Sequence, residues 1–378
     1  MNNFAESIGS RLDLGSFYRV ISNGTELKAL IDELNQSPWV AVDTEADSLH
    51  AYPEKICLIQ ISSVGGDAII DPLAGFDLKP LWEALQDRQL ILHGADYDLR
   101  MLRGSYNFIP SSIFDTMIAA RLLGDLQFGL GHLAEKYLNV QLEKGPQKMN
   151  WAMRPLTERM LTYAQNDTHY LKQLSDIIRI QLIAKGRLHW MEESCSQLVR
   201  DCGRPKVVDR QLQWRLKGTD RLDRRAQAVV RELFYWRELE AIGANLPPYF
   251  IMSHELLIRI AGAADEGNYS ANLLPPRFSA NRRVGVGEAI SRALASPNQE
   301  WPKKIWQPSY HPTSDDKQRF EEIKLVRDST ASIHQIDPTL IASKAMLTQC
   351  SQGENPDRSG LLPWQADLLF NKQPTASP

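Results

Sequence analysis

The chain has 378 residues, 43% of them hydrophobic and 24% charged, which is the composition of a soluble globular protein of two or three domains. Its net charge of −3 does not announce a nucleic-acid binder, and no apolar run approaches the roughly 20 residues that span a bilayer. The four cysteines (Cys57, Cys195, Cys202, Cys350) lack C-x-x-C spacing, so free thiols are expected rather than zinc, and with no signal-peptide pattern at Met1 a cytoplasmic protein is expected.

Residues 1–16 lack periodicity and read as an arm. Tyr18 to Ile21 is strand-like. Asn23-Gly-Thr25-Glu opens a helix with Thr25 as its cap and Leu27, Leu30, Ile31 and Leu34 as its apolar stripe. Pro38 ends that region, and Trp39 to Asp43 is the first core strand. Ile56–Ser62 and Ala68–Asp71 complete an antiparallel meander. Leu78, Leu81, Trp82 and Leu85 recur at helical spacing. Leu90–His93 is a fourth strand, and a helix follows from Asp96, which is placed to cap it. From Phe114 to Leu188 the pattern is helical, its last piece running from Pro155 toward Lys185. These elements make residues 17–190 an α/β or α+β domain with a mixed sheet.

Residues 191–209 read as a connector. In 210–295 the stripe Leu222, Ala226, Val229, Leu233, Trp236 and Leu239 marks an amphipathic helix, and Ser253 caps another, so this unit is all-α. Arg210 to Ala295 carries 13 Lys/Arg against 9 Asp/Glu, while the rest of the chain carries 30 against 37. A mildly basic module beside an acidic one fits a polyanion-contacting domain next to a metal-using one. Prolines at 297, 302, 308 and 312 make 296–317 a linker. Residues 318–371 are helical, and 372–378 form a tail.

The chemistry starts at Asp43 and Glu45. Two residues apart on a strand, they point to one face, and two acids there are costly unless a positive group sits between them. A divalent metal is the candidate, and solvated loop carboxylates are the alternative. Asp98 lies in the first turn of a helix, where an acid also complements the helix dipole. Tyr163 and Asp167 share a helix face at i and i+4, either as part of a site or as a surface pair.

Asp43, Glu45, Asp98, Tyr163 and Asp167 arrive in the order and spacing of the DEDD exonucleases that carry tyrosine in their third motif. The segments Asp43-Thr-Glu-Ala-Asp-Ser-Leu49, Lys55-Ile-Cys-Leu-Ile-Gln-Ile61, His93-Gly-Ala-Asp-Tyr-Asp98, Phe114-Asp-Thr116 and Arg154-Pro-Leu-Thr157 extend the likeness, and residues 17–190 resemble the ribonuclease D family. Trp214-Arg-Leu-Lys-Gly218, Leu222-Asp-Arg-Arg-Ala226 and Trp236-Arg-Glu238 resemble the HRDC module. Ile336 to Ser343 and Leu362-Pro-Trp364 resemble the end of a second, diverged copy within 318–371. One departure is Met149-Asn150-Trp151, where the family often has Ser-Asp-Trp, which puts nucleic-acid contacts at 149–153 in doubt.

The resemblance implies a ribonuclease-H-like α/β exonuclease domain with a mixed central sheet, followed by all-α HRDC-type domains. It implies a 3′–5′ exoribonuclease that releases nucleoside 5′-monophosphates from single-stranded 3′ ends, with tRNA precursors as substrates. Two ions, Mg²⁺ or Mn²⁺, would be bound. Asp43 would bridge them, Glu45 and Asp167 would complete one, Asp98 would hold the other, and Tyr163 would orient water. Leu49 would wedge against the terminal base, His93 would contact substrate, and Arg224, Arg225, Arg282 and Arg283 would grip the polyanion. Deleting 210–378 is then expected to weaken RNA binding but spare hydrolysis of short oligonucleotides. The remaining alternatives are a DNA exonuclease on the same fold and a non-catalytic RNA-binding relative. Nothing requires an oligomer.

Overall fold

Ala41, Asp43 and Glu45 share one face of a strand, and the sheet grows outward from it. A computed structural model describes residues 18–143, 145, 147–205, 209–303, 305, 310–352 and 360–371. The expected arm 1–16 and tail 372–378 lie outside these, as does part of the expected linker. The strands are β1 (Tyr18–Ile21), β2 (Val40–Ala46), β3 (Ile56–Ser63), β4 (Gly66–Ile70), β5 (Gln89–Leu92) and β6 (Ser112–Asp115), in the spatial order β1-β4-β3-β2-β5-β6. β2, β3 and β4 form the antiparallel meander. β5 runs parallel to β2, β6 parallel to β5, and β1 parallel to β4.

The helices of the first part are α1 (Gly24–Gln36), α2 (Lys79–Leu85), α3 (Asp96–Tyr106), α4 (Thr116–Leu123), α5 (Leu130–Leu138), α6 (Glu158–His169), α7 (Leu171–Ala184) and α8 (Leu188–Gly203). Every residue of β3 is buried, as in a strand covered on both faces. Val40, Val42, Ile59 and Ile61 pack with Leu30 and Leu34 of α1, Leu81 of α2 and Leu99 of α3. On the opposite face Leu58 and Ile69 meet Met160 and Ala164 of α6, and Ala41 and Ile91 meet Leu171 of α7. Strand alternation therefore turns Asp43 and Glu45 toward α6.

Four expectations change. The cap of α1 is Asn23, whose side chain accepts from the amides of Thr25 and Glu26, rather than Thr25. β6 takes the first two residues, Phe114 and Asp115, of the stretch that reads as helical from Phe114 onward. The long helix breaks at Tyr170, and α6 opens on Thr157, which accepts from the Met160 amide. Where a connector was expected over 191–209, α8 runs to Gly203 and buries Trp190, Met191, Cys195 and Cys202. Its polar appearance is that of its outward residues.

The chain divides into two units, one of residues up to 46, 56–204 and from 312 onward, the other of 47–55 and 205–311. The second unit holds α9 (Arg224–Ala244), α10 (Pro248–Ile251), α11 (His254–Asp265) and α12 (Ala280–Ala295) around Trp214, Leu233, Trp236, Ile260 and Ile290. Asp223 caps α9 and Ser253 caps α11.

α13 (Ser314–His334), α14 (Pro338–Ile341), α15 (Lys344–Ser351) and α16 (Pro363–Phe370) belong to the first unit. Their Ala331, Ile336, Ile341, Leu347, Trp364 and Leu368 join the core that contains Leu122 and Trp190. Buried Arg187 donates to the carbonyls of Leu122 (2.8 Å) and His334 (2.7 Å), and Trp190 stacks on Trp364 at 4.9 Å. Helices α13–α16 thus pack as part of the first unit's core. That packing argues against the expectation that everything beyond 210 can be removed with hydrolysis intact.

A pattern recurs along the helical sequence. α9 and α13 each have 21 residues and end on a left-handed residue, Asn245 and Gln335. A four-residue helix opened by Pro248 or Pro338 follows, then a helix capped by Ser253 or Ser343. Each landmark of the second set lies 90 positions beyond the first.

Candidate active site

β2 brings Asp43 and Glu45 to the face covered by α6, and α6 answers with Asp167. One carboxylate oxygen from each of the three lies within 4.8 Å of the others. Asp98 reaches the same cleft from the first turn of α3, beyond β5. Thr44 faces the opposite way from its neighbours, and its hydroxyl donates to Asp98 Oδ1 at 2.5 Å. The cleft, about 380 Å³, is lined by Asp43, Thr44, Glu45, His93, Tyr97, Asp98, Gly129, Leu130, Gln147, Tyr163 and Asp167.

Two buried acids outside the cleft set its geometry. Asp115, at the end of β6, accepts from the amides of Met117 and Ile118 and so caps α4. It also accepts from Gly94 (3.0 Å) and Ala95 (2.8 Å), which pins the turn that launches α3. Asp96, the expected cap of α3, instead pairs with Arg100 on the surface. Asp67 of β4 accepts from Ser62 (2.6 Å) and, on α6, from Gln165 (2.7 Å) and His169 (2.6 Å). These bonds fix the rotation of α6 and hence the aim of Asp167.

Tyr163 stands one helical turn before Asp167. Its ring lies against Gly145, where a Cβ would come within 1.5 Å of the ring, and Gln147 hydrogen-bonds its side chain. Trp151 lies 6.0 Å away, centroid to centroid. Burial, and then the charge of Asp167, raise the Tyr163 pKa above that of an ordinary phenol, so its hydroxyl keeps its proton.

The acids resist ionisation together. Burial is the largest reason Asp43 titrates well above an ordinary carboxylate, followed by repulsion from Asp98, Asp167 and Glu45. Burial and then Asp167 and Asp98 push Glu45 up to about 9. Burial lifts Asp167 to about 8 against the hydrogen bond from Tyr163. Asp98 reaches only about 6, because the hydrogen bond from Thr44 opposes its burial. Oxygen donors this close suit a hard divalent cation, which would relieve the repulsion that raises these values. The buried Gln60 amide, paired with Asp43 across β2 and β3, has no partner among the described residues. Residues and cation fit.

Six of the residues singled out from the sequence therefore meet in one cleft: Asp43, Glu45, His93, Asp98, Tyr163 and Asp167. Leu49 groups with the second unit, is 42% exposed and is not among the lining residues. The four arginines are engaged within the helical unit. Arg224 donates to the carbonyls of Asn298, Trp301 and Pro302, and Arg283 to those of Ala271, Pro275 and Phe278. Arg225 pairs with Asp265 and Arg282 with Glu240. Arg224 and Arg283 therefore also hold backbone oxygens of their own unit in place, beside the polyanion contact expected of them. The sequence assigns no role to Thr44, Tyr97 or Asp115, which lie within the family-like segments, nor to Leu130, Gly145 or Gln147. Strand alternation could have flagged Thr44, and an Asp just before a helix could have flagged Asp115.

The profile of the 3′-5′ exonuclease family matches residues 18–183, and that of the HRDC domain matches 226–265. Ribonuclease D of Jannaschia sp. is 30% identical over 296 residues, covering 75% of this chain and 76% of that one. The chain belongs to the ribonuclease D family. Ribonuclease D of Desulfotalea psychrophila is 29% identical across 93% of this chain and 96% of that one. The crystal structure of Escherichia coli RNase D, described as an exoribonuclease involved in structured RNA processing, superposes with a TM-score of 0.72. It is 25% identical and covers 94% of this chain and 99% of that one. In keeping with that family, the chain is a hydrolase and a 3′–5′ exoribonuclease, and its acidic cluster is consistent with a metal-binding active site.

Proposed function

We propose that the chain removes nucleoside 5′-monophosphates one at a time from single-stranded 3′ ends of structured RNAs, tRNA precursors among them, with two divalent ions. The observation that carries this reading is the convergence of Asp43, Glu45 and Asp167 within 4.8 Å, with Asp98 and Tyr163 on the same cleft. Asp43 would bridge two Mg²⁺ or Mn²⁺ ions, with Glu45 and Asp167 completing one and Asp98 holding the other. When bound, such ions stabilise charge on the attacking and leaving oxygens of the phosphodiester. Tyr163, held protonated between Gly145 and Gln147, positions the attacking water by its hydroxyl rather than removing a proton from it. Thr44 keeps the Asp98 carboxylate aimed and more easily ionised.

A cleft of this size takes one nucleotide, which favours an unpaired end drawn away from its stack. The description of the E. coli relative supports structured RNA as substrate. The basic helical unit would hold the body of the RNA collectively, and the recurrence at 90 residues supports α13–α15 as a second, diverged HRDC-like copy. Asp43, Glu45, Asp98, Tyr163 and Asp167 all reach the cleft from a single chain, which fits a monomer as the active form. Four buried free thiols suit the cytoplasm.

The test is digestion of 5′-labelled RNA and matched DNA, with and without Mg²⁺ or Mn²⁺. Wild type should shorten RNA one nucleotide at a time, and Asp43→Asn and Asp167→Ala should lose about a thousandfold or more in rate. Full activity of Asp43→Asn would remove the site from consideration.

A further inference from the structure

We propose that His93 reads the 2′-hydroxyl of the nucleotide being removed, with Nε2 as a hydrogen-bond acceptor. This rests on the exoribonuclease reading and names the group in the cleft that selects ribose.

The argument is one of proton bookkeeping. His93 is the first residue after β5, and it lines the cleft. Its Nδ1 lies 2.9 Å from Thr116 Oγ1. That hydroxyl lies 3.1 Å from the Leu92 carbonyl. A carbonyl only accepts, so the single hydroxyl proton points at Leu92. Thr116 then offers a lone pair to the imidazole, and Nδ1 must carry the ring proton. A neutral imidazole has one N–H, which leaves Nε2 as a bare acceptor.

The surroundings hold this state. Thr116 is fully buried at the start of α4, and Asp115 caps that helix, so the hydroxyl oxygen is held between the Leu92 carbonyl and the imidazole. Burial lowers the pKa of His93 below the ordinary value, against the opposing pull of Asp115, so the ring stays neutral. Among the described residues Nε2 has no protein partner, and it is not sealed inside the protein.

An acceptor in this position rejects phosphate oxygens, which are acceptors themselves. It would bind a donor. Base amino groups differ from one nucleotide to the next, and an exonuclease that trims every base cannot depend on them. The ribose 2′-hydroxyl is present in every RNA residue and absent from DNA.

The experiment uses the full chain with Mg²⁺ or Mn²⁺ and four oligoribonucleotides that differ only at the last nucleotide, which is ribo, 2′-deoxy, 2′-O-methyl or 3′-deoxy. Removal of that nucleotide is measured as kcat/KM. Wild type should prefer the ribo end over the 2′-deoxy and 2′-O-methyl ends by about tenfold or more. His93→Phe and Thr116→Val should compress that ratio toward one, and Thr116→Ser should keep it. Because each ratio is measured within one enzyme preparation, partial misfolding does not mimic the result. Nitrogen-15 spectra of histidine-labelled protein should show the Nδ1–H tautomer for His93. Equal removal of ribo and 2′-deoxy ends, sensitivity confined to the 3′-deoxy end, an unchanged ratio in His93→Phe, or an Nε2–H tautomer would each overturn the proposal while leaving an exoribonuclease. A chain that trims no RNA at all would overturn the underlying reading and this proposal with it.

Discussion

Thr44 and Asp43 are adjacent and face opposite ways, yet both serve the same cleft. Asp43 lies on the α6 side with Asp167, while Thr44 donates its hydroxyl to Asp98 from the α3 side. Thr44→Val keeps the shape and removes the donor. It should lower activity and Mn²⁺ affinity by about 10–100-fold, and Thr44→Ser should restore both, as read by turnover and by titration calorimetry. Unchanged Mn²⁺ binding in Thr44→Val would refute the orienting role. The crowded acids also set a pH dependence. Folding raises the pKa of Asp43, Glu45, Asp98 and Asp167, so without metal the folded state holds protons that the unfolded chain has released. Stability then falls as pH rises from about 4, the usual carboxylate range, to about 9, the value for Glu45. Thermal melts in chelator should show Tm dropping across that window, Asp167→Asn should flatten the drop, and added Mg²⁺ or Mn²⁺ should reverse it. A metal-free Tm that rises toward pH 9 would contradict the cluster.

At the level of elements, the site depends on how α3 and α6 are launched. Asp115 serves four amides at two helix starts, so Asp115→Ala should destabilise the first unit by about 3 kcal/mol in urea unfolding. Asp115→Asn, itself a good cap, should recover part of that, and a loss below about 1 kcal/mol for the alanine would refute the role. Much of this architecture was legible in the sequence. β2 declares itself by Val-Ala-Val running into spaced acids, and α6 by a tyrosine and an aspartate one turn apart. β6 was not legible, because four residues ending at a helix cap carry too little alternation to stand apart from the helix that follows. The break at Tyr170 left no proline or glycine to mark it. Arg224 read as a free cation because the carbonyls that hold it lie more than seventy residues away in sequence, at Asn298, Trp301 and Pro302. Periodicity reports which face is buried, not which distant oxygen a side chain finds.

For the whole molecule, the order of the chain is not the order of its units. After a short excursion at 47–55, the path leaves the first unit again after Arg204, builds the helical unit, and returns at Pro312 to finish the first core. Sequence likeness placed the C-terminal helices with an HRDC-type copy, and the 90-residue recurrence agrees with that in form. Their packing nonetheless makes them part of the catalytic unit. A chain ending at residue 311 would leave Trp190 without Trp364 and His334 against it and Arg187 without the carbonyl of His334. A buried cation that loses a partner is costly, as is an exposed apolar core. The truncated chain should therefore lose cooperative unfolding and all nuclease activity, on short oligonucleotides as well as long RNA. Trp364→Ala is the milder version. That side chain is 2% exposed and stacked on Trp190, so its removal should cost about 3–5 kcal/mol, seen as a lower Tm for the transition that also abolishes activity. If the chain ending at 311 trimmed a short oligonucleotide at the wild-type rate, α13–α16 would be an appendage and the shared core would be wrong.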